Sequence, residues 1–222
     1  MSHPAIRFKP ADVRARLYEL GRLTPETLLD ACGAGLLGRN GCTPNHPRQA
    51  PGFYMWSETV AALGDGLAKP PFLWRRDDSS ILSIVINESN AIAITVATGD
   101  EATGKEDRTP CTNSAKGPHT KDAVAANQYW LFAEIAKELE KAKADLANRQ
   151  TWTLLVHYDH QLEELRAELS LPVDMTADGY VSGWHERIIL TSIRFDETDT
   201  HRAAPDAPEL SPEINIKVKK RA

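Results

Sequence analysis

The sequence predicts an α+β fold: an N-terminal helical portion followed by a largely antiparallel sheet of about six strands, covered by one long helix at 121–148. Helically spaced apolar residues and helix-capping residues dominate the first part of the chain. Alternating segments rich in β-branched residues dominate the later part. We therefore expect a helical portion at 1–70 and a sheet domain at 71–222, or a single domain over 1–222.

Composition limits the class of protein. The chain has 222 residues, of which 41% are hydrophobic and 26% are charged, as in a globular protein that buries a core. The net charge of −5 argues against nonspecific nucleic-acid binding by the whole surface. Apolar runs are far shorter than a membrane span, no secretory signal is evident, and the three cysteines are irregularly spaced. We expect a cytoplasmic protein with no membrane partner.

Helix signals occur in three places before residue 70. Residues 10–21 carry apolar side chains at helical spacing, and Thr24-Pro25 is a strong helix start. The glycine-rich stretch 33–38 is expected to end that second helix, and the prolines and glycines of 39–53 predict a loop. A short third helix is expected to begin at Ser57.

The strands are predicted by alternation and β-branching. Segments 81–86 and 91–96 flank a short polar connection and predict a hairpin. A long polar loop, 98–119, leads from it to the helix at 121–148, and loops of this length are often functional. Three further strands are expected at 152–158, 165–171 and 186–194, and a basic edge strand at 214–221 follows a proline-rich linker at 196–213.

The strand at 165–171 alternates clearly between apolar and polar side chains. Arg166, Glu168 and Ser170 occupy the polar positions. An antiparallel sheet commonly exposes one face to water. We therefore expect this face of the sheet to be at least partly wet.

Two glycine motifs resemble nucleotide-binding sequences but lack their context. The segment from Gly99 to Lys105 matches G-x-x-x-x-G-K, yet Glu106 stands where a Ser or Thr would bind magnesium, and Pro110 prevents an immediate helix. Residues 33–38 match G-x-G-x-x-G but follow a helical pattern instead of a strand. Both are interpreted as structural glycines.

Acidic residues cluster at the ends of the predicted hairpin, with Asp77 and Asp78 before it and Asp100 and Glu101 after it. Antiparallel pairing brings these two ends to the same edge of the sheet, where carboxylates could bind magnesium or manganese. This pattern is the basis of an alternative function, a divalent-metal-dependent phosphohydrolase or nuclease. Solvated charges at strand ends are the more ordinary interpretation.

Other catalytic and metal patterns are incomplete. Cys32, Cys42 and His46, or His157 with His160, lack the spacing of zinc modules. The sequence has no G-x-S-x-G nucleophile motif. With no complete catalytic constellation, the leading expectation is a non-enzymatic protein without a cofactor.

Aromatic and basic residues are concentrated in segment 53–76. Such residues anchor protein interfaces or stack on bases, although large rings more often fill cores. We expect a binding protein that recognises another macromolecule, foremost a protein, through this segment and loop 98–119. Nucleic acid is a second expected partner, and homodimerisation through helix 121–148 a further one. The candidate binding residues are Tyr54, Trp56, Trp74, Arg75, Arg76, Lys105 and Lys116.

Overall fold

The computed structural model describes residues 4–77, 82–131 and 149–194. Within these residues the chain forms strands and helices in the order β1, α1, α2, α3, β2, β3, β4, α4, β5, β6, β7, β8. The helices are α1 (Pro10–Glu19), α2 (Pro25–Asn40), α3 (Ala50–Ala68) and α4 (Pro118–Leu131). The strands are β1 (Ala5–Arg7), β2 (Arg75–Asp77), β3 (Ile84–Asn87), β4 (Ile92–Thr98), β5 (Gln150–Asp159), β6 (Glu164–Met175), β7 (Val181–Ile189) and β8 (Ile193–Arg194).

The described strands form one mixed sheet in the order β1-β7-β6-β5-β4-β3-β2, with β8 also paired to β6. The predicted α+β class is confirmed, but the prediction of a largely antiparallel sheet is wrong. β1 pairs parallel to β7, and β4 pairs parallel to β5. The physical reason is the connection: the chain leaving β4 passes through loop 98–119 and α4 before it re-enters the sheet, and such a crossover joins parallel neighbours.

One face of the sheet packs against α1, α2 and α3. Leu154 and Trp152 of β5 are fully buried there, together with Leu17 of α1, Leu28 of α2 and Leu63 of α3. These side chains belong to a single hydrophobic cluster that includes both sheet and helices. The division at residue 70 stays a prediction.

Helices α2 and α3 pack closely at glycines, and this overturns the predicted helix end at 33–38. A Cβ on Gly35 would lie 2.0 Å from Oγ1 of Thr59, and one on Gly38 would lie 2.6 Å from Cγ of Glu58. The glycines therefore permit close approach of two helices, and α2 continues to Asn40. Interior glycines cost roughly 1 kcal/mol each in helix propensity, and the contact with α3 offsets that cost.

Helix α3 begins earlier than predicted. It starts at Ala50, with Pro51 in its first turn, and runs through Ser57 to Ala68. Proline is favourable in a first turn because its missing N–H has no helical acceptor there. The predicted loop at 39–53 is thus confined to the residues between Asn40 and Ala50.

The opposite face of the sheet packs against α4. Val124 of α4 contacts Ala97, Leu155, Val181 and Trp184 in a second hydrophobic cluster.

A buried asparagine fixes the helix to the sheet. The Asn127 side chain donates hydrogen bonds of 2.9 Å to the carbonyls of Thr151 and Pro172, and accepts one of 2.8 Å from the Thr151 amide. All three bonds are buried, so they hold α4 in one position over β5 and β6.

Two predicted elements extend beyond the described residues. The structure gives the predicted helix 121–148 as α4, beginning at Pro118, while 132–148 lie outside the described residues. The predicted linker at 196–213 and edge strand at 214–221 also lie outside them. In the described part of the chain, no helix has both the length and the apolar character needed to cross a bilayer.

Candidate functional site

Residues 99–117, which we call the covering loop, lie over the polar face of β6 and β7. Arg187 and Glu168 beneath the loop are fully buried and form an ion pair with an N–O distance of 2.6 Å. Arg187 also donates to the carbonyl of Arg108 at 2.7 Å and to that of Lys105 at 2.9 Å. Glu168 accepts a 2.9 Å hydrogen bond from the amide of Gly104. The ion pair thus bonds directly to the backbone of the loop.

This arrangement shows that the prediction of a wet face on β6 is wrong. Arg166, Glu168 and Ser170 are all buried. Most of their polar groups are hydrogen-bonded instead of solvated: the Ser170 hydroxyl donates to Glu168 at 2.7 Å, and Nη2 of Arg166 donates to the carbonyl of Glu101 at 3.2 Å. Nε of Arg166 is buried without a hydrogen-bond partner among the described residues. A buried charge requires such partners. The covering loop supplies these partners. The alternation of residues along β6 does not indicate that a loop covers its polar face.

The start of the covering loop is fixed by Asp100 and His157. The carboxylate of Asp100 accepts hydrogen bonds of 3.1 Å from the amides of Ala102 and Cys111. His157 lies within 3.2 Å of the carbonyl of Gly99, and burial lowers the pKa of its imidazole. Both side chains therefore act on the loop backbone, which is a structural role.

A pocket of about 170 Å³ lies between the end of the covering loop, the central strands and α3. Its apolar wall is formed by Trp56, Leu82, Val96, Ala97 and Val181. Its polar wall is formed by Ser83, Thr95, Thr112, Lys116, Thr120 and Thr153. Among the described residues that line it, Lys116 is the one charged side chain, so the pocket has a positive local charge.

Lys116 stands at the polar wall. Its ammonium donates to the hydroxyl of Ser114 at 3.1 Å, and burial lowers its pKa. An ammonium that has lost part of its hydration gains more from a nearby anion than a fully solvated one does. The pocket therefore favours negatively charged groups over positive ones.

The pocket lining includes two threonines that are neighbours across the parallel pair β4 and β5. Thr95 and Thr153 are in register, and each is less than 10% exposed. The Thr95 hydroxyl donates to the carbonyl of Ser83 at 3.2 Å. The Thr153 hydroxyl has no hydrogen-bond partner among the residues that the structure describes, although Thr153 is only 4% exposed. The hydroxyl oxygen itself is not among the fully enclosed, unpartnered polar atoms of the described residues, so it is open to water and to a ligand that accepts its hydrogen bond.

Two of the predicted binding residues meet at this pocket. Trp56 comes from segment 53–76 and Lys116 from loop 98–119, and both line it. The Trp56 indole donates to the carbonyl of Val96 at 3.1 Å, which fixes its ring at the edge of β4. The two sequence segments therefore contribute to one concave site.

The other predicted binding residues lie away from the pocket lining. Trp74 is 3% exposed and belongs to the helix-side core. Arg75 is exposed and pairs with Glu88 at 3.2 Å, while Arg76 is exposed on the same strand. Tyr54 is 39% exposed and its ring contacts those of Phe53 and His46. Lys105 is half-buried and contributes its backbone carbonyl to the bond from Arg187.

The predicted metal ligands are only partly described. Asp77 pairs with Arg75 at 3.7 Å, Glu101 pairs with Arg108 at 3.2 Å, and Asp100 binds loop amides. Within residues 4–77, 82–131 and 149–194, no group of three or more His, Cys, Asp or Glu side chains could hold a metal ion. Asp78 lies outside the described residues, so the magnesium or manganese site stays a prediction.

The pocket threonines were not predicted from the sequence. Thr95 and Thr153 stand in strands where threonine is common, and nothing local distinguishes them. The one sequence feature that could have pointed to them is that each is a polar residue within a mostly apolar strand, β4 or β5. It becomes informative only once the register pairs the two strands.

In comparisons with protein-family models, curated proteins and solved structures, the chain has no significant match.

Proposed function

We propose that this chain is a non-enzymatic binding protein that recognises another protein, and that the pocket between Trp56 and Lys116 receives a side chain or chain end of the partner. The observation that carries the proposal is that both segments expected to bind, 53–76 and 98–119, line the same pocket. A concave site with an apolar wall and a few polar groups is the usual form of a binding site.

The size of the pocket favours a small group. Pockets for drug-sized ligands have volumes of roughly 300–1,000 Å³, whereas this one has about 170 Å³. Cavities of about 150 Å³ in other proteins accept a benzene-sized molecule. The volume therefore suits one amino-acid side chain or a short acid, and it is too small for a whole nucleotide.

An exposed aromatic surface continues from the pocket along α3. Phe53 lies one helical turn before Trp56, with 5.9 Å between their ring centroids, and it is 58% exposed. Tyr54 is beside it, also with an exposed ring. Aromatic residues at the edge of a pocket are typical of contacts that dominate protein interfaces. A protein partner could therefore contact this surface while one of its groups enters the pocket.

Site-specific photocrosslinking, carried out in the cells that naturally contain this protein, tests the proposal. A photoreactive benzoylphenylalanine at Ala115, which is exposed and adjacent to Lys116, is expected to give one discrete crosslinked protein. The matched control position is Leu162, which is 54% exposed. Ala115 lies beside Gly179 at one end of β6, and Leu162 lies at the other end. The control should give no such product.

Two results would contradict the proposal. One is a crosslinking pattern that is the same from positions 115 and 162. The other is measured turnover of nucleotides or nucleic acid that disappears when Asp100 and Glu101 are changed to Ala. That second result would favour the metal-dependent hydrolase. A hydrolase of this kind must bind magnesium or manganese, which calorimetry would detect.

A further inference from the structure

The charge and the hydrogen-bonding capacity of the pocket specify what it binds. We propose that it binds a monoanionic carboxylate carried on a short apolar stem, either a free acid or the carboxylate of a partner protein. This inference rests on the proposed binding function of the same pocket, and it adds the chemical class of the bound group.

The number of charges favours a monoanion. Among the described lining residues the pocket has one cation, Lys116, and no aspartate or glutamate. One ammonium can compensate one negative charge, and a second charge held away from water would be left unpaired at high cost. A carboxylate carries one charge, whereas a phosphate monoester carries nearly two at neutral pH. The pocket therefore discriminates against phosphate.

The pocket lining offers several hydrogen-bond donors. The Thr153 hydroxyl is unpartnered within the described residues and 4% exposed, and Lys116 uses one of its three N–H bonds on Ser114. Thr112 has no proton left for a carboxylate, because its hydroxyl already donates to the carbonyl of Ser114 while accepting from the amide of Val181. Lys116 and the hydroxyls of Thr153 and Thr120 are thus among the donors available to a carboxylate.

Two further features suit this ligand. Thr120 lies in the first turn of α4, where the helix dipole favours negative charge. The lining also includes Trp56, Ala97 and Val181, whose apolar surface a stem of two or three methylene groups would cover. The volume of about 170 Å³ leaves little room beyond such a stem and its carboxylate.

A titration followed by amide NMR resonances tests the inference on the full chain. Butyrate is expected to give saturable shifts at Thr153 and Gly117, while butyramide, of the same shape but uncharged, binds at least about tenfold more weakly. Inorganic phosphate is expected to bind more weakly than butyrate. Equal affinity for butyrate and butyramide, or tighter binding of phosphate, would overturn the inference.

Variants assign the effect to the pocket. Thr153→Val removes a hydroxyl that the fold does not use, and Lys116→Met removes the charge; each should weaken butyrate binding by about tenfold or more. Lys105→Met makes the same charge change on the same loop outside the pocket lining and should leave affinity unchanged. Equal losses of butyrate affinity from Lys116→Met and Lys105→Met would contradict the assignment of binding to this pocket.

Two peptides identify the source of the carboxylate. Both are capped at each end, and they differ only in one residue, glutamate or glutamine. Tighter binding of the glutamate peptide than of butyrate assigns the site to a partner's side chain, and the reverse assigns it to a free acid; both results support the carboxylate class. If butyrate and the glutamate peptide both fail to bind while position 115 still crosslinks a protein, the inference fails and the proposed function stands.

Discussion

The face of the sheet that carries Trp152, Leu154 and Val156 packs against three helices, whereas the face that carries Glu168 and Arg187 packs beneath the covering loop. On the first face, burial comes mainly from apolar contact, which is non-directional, with Glu186 and its arginines as the charged exception. On the second, an apolar cluster lies under α4, and beneath the covering loop burial comes with charged hydrogen bonds, which have fixed geometry. Both faces are buried, but only the second fixes a loop in one conformation.

This difference has a consequence for the pocket. Lys116 belongs to the covering loop, so its position depends on how that loop is held. A loop held only by apolar contact could shift, because such contacts specify distance more than direction. The bonds from Arg187 to the carbonyls of Lys105 and Arg108 fix the middle of the loop, and the amide of Lys116 itself donates to the carbonyl of Gly179 at 2.8 Å. The polar face therefore supports the proposed binding site, and the apolar face supports the stability of the fold.

The largest expected effect is that of Arg187→Met. It leaves the fully buried carboxylate of Glu168 without its cation, so the free energy of unfolding should fall by about 3–5 kcal/mol. Urea unfolding measures the loss. Adding Glu168→Met should restore at least about 1 kcal/mol, since the unpaired charge is gone. A single-variant loss below about 1 kcal/mol would show that the ion pair does not hold this face.

Leu154→Ala tests the apolar face. Leu154 is fully buried, and its truncation should cost about 2–5 kcal/mol in unfolding free energy. Hydrogen exchange of the Asn113 amide, which bonds to the carbonyl of Thr98 at 2.8 Å, should be accelerated more by Arg187→Met than by Leu154→Ala. Equal acceleration in variants of equal stability would remove the distinction between the two faces.

Two glycines of α2 give a smaller contrast within the apolar face. Gly35→Ala should destabilise by about 1–3 kcal/mol because its new Cβ would lie 2.0 Å from Oγ1 of Thr59. Gly33→Ala, with no heavy atom within 4 Å, should stabilise by up to about 1 kcal/mol through helix propensity. Thermal unfolding measures both. Destabilisation by Gly33→Ala as large as that by Gly35→Ala would mean that close helix packing is not the reason for Gly35.

The smallest expected effect concerns Glu186, a buried acid on the apolar face. Burial by itself raises the pKa of Glu186, but hydrogen bonds from Arg16 and Arg7 outweigh it and hold the pKa below its ordinary value. The folded-state pKa is depressed, so this contribution is present above the unfolded value near pH 4.3 and is lost as pH falls through the folded pKa.

Glu186→Gln should therefore cost about 1–2 kcal/mol at pH 7. The difference from the unchanged protein should shrink once the pH falls below about 4. Urea unfolding as a function of pH measures it. A difference that stays constant down to pH 2 would contradict the assigned role of the carboxylate.

Several elements could be predicted from local patterns, although the strand predicted at 186–194 is β7 at Val181–Ile189, and the short strands β1, β2 and β8 were not predicted. Thr24-Pro25 indicates the start of α2, and alternation indicates β5, β6 and β7, because capping and side-chain period are local properties. The prediction that the glycines of α2 end the helix was wrong. Glycines are found both at helix ends and where two helices pack closely, and the sequence alone does not show the contact of Gly35 with Thr59. The parallel pairing of β4 with β5 depends on a crossover, which local patterns do not specify.

The candidate site was predictable only in part. Trp56 and Lys116 stand out as an aromatic and a cation in segments expected to bind, but their meeting depends on the path of the covering loop. The ion pair of Glu168 and Arg187 helps to set that path. Glu168 lies 64 residues after Gly104, the loop residue whose amide it binds, and Arg187 lies 19 residues after Glu168. Sequence separation of this size hides the partner. Without knowledge of that partner, a polar strand residue such as Glu168 is predicted to face solvent, although it is buried.

The most direct test of the central claim is the yield of the crosslink from position 115 in two variants with the same charge change. Lys116→Met alters the pocket, and Lys105→Met alters the same loop outside the pocket lining. We expect Lys116→Met to abolish the discrete product and Lys105→Met to preserve it. A product that persists in Lys116→Met, or one that disappears equally in both variants, would contradict the claim that this pocket is the recognition site.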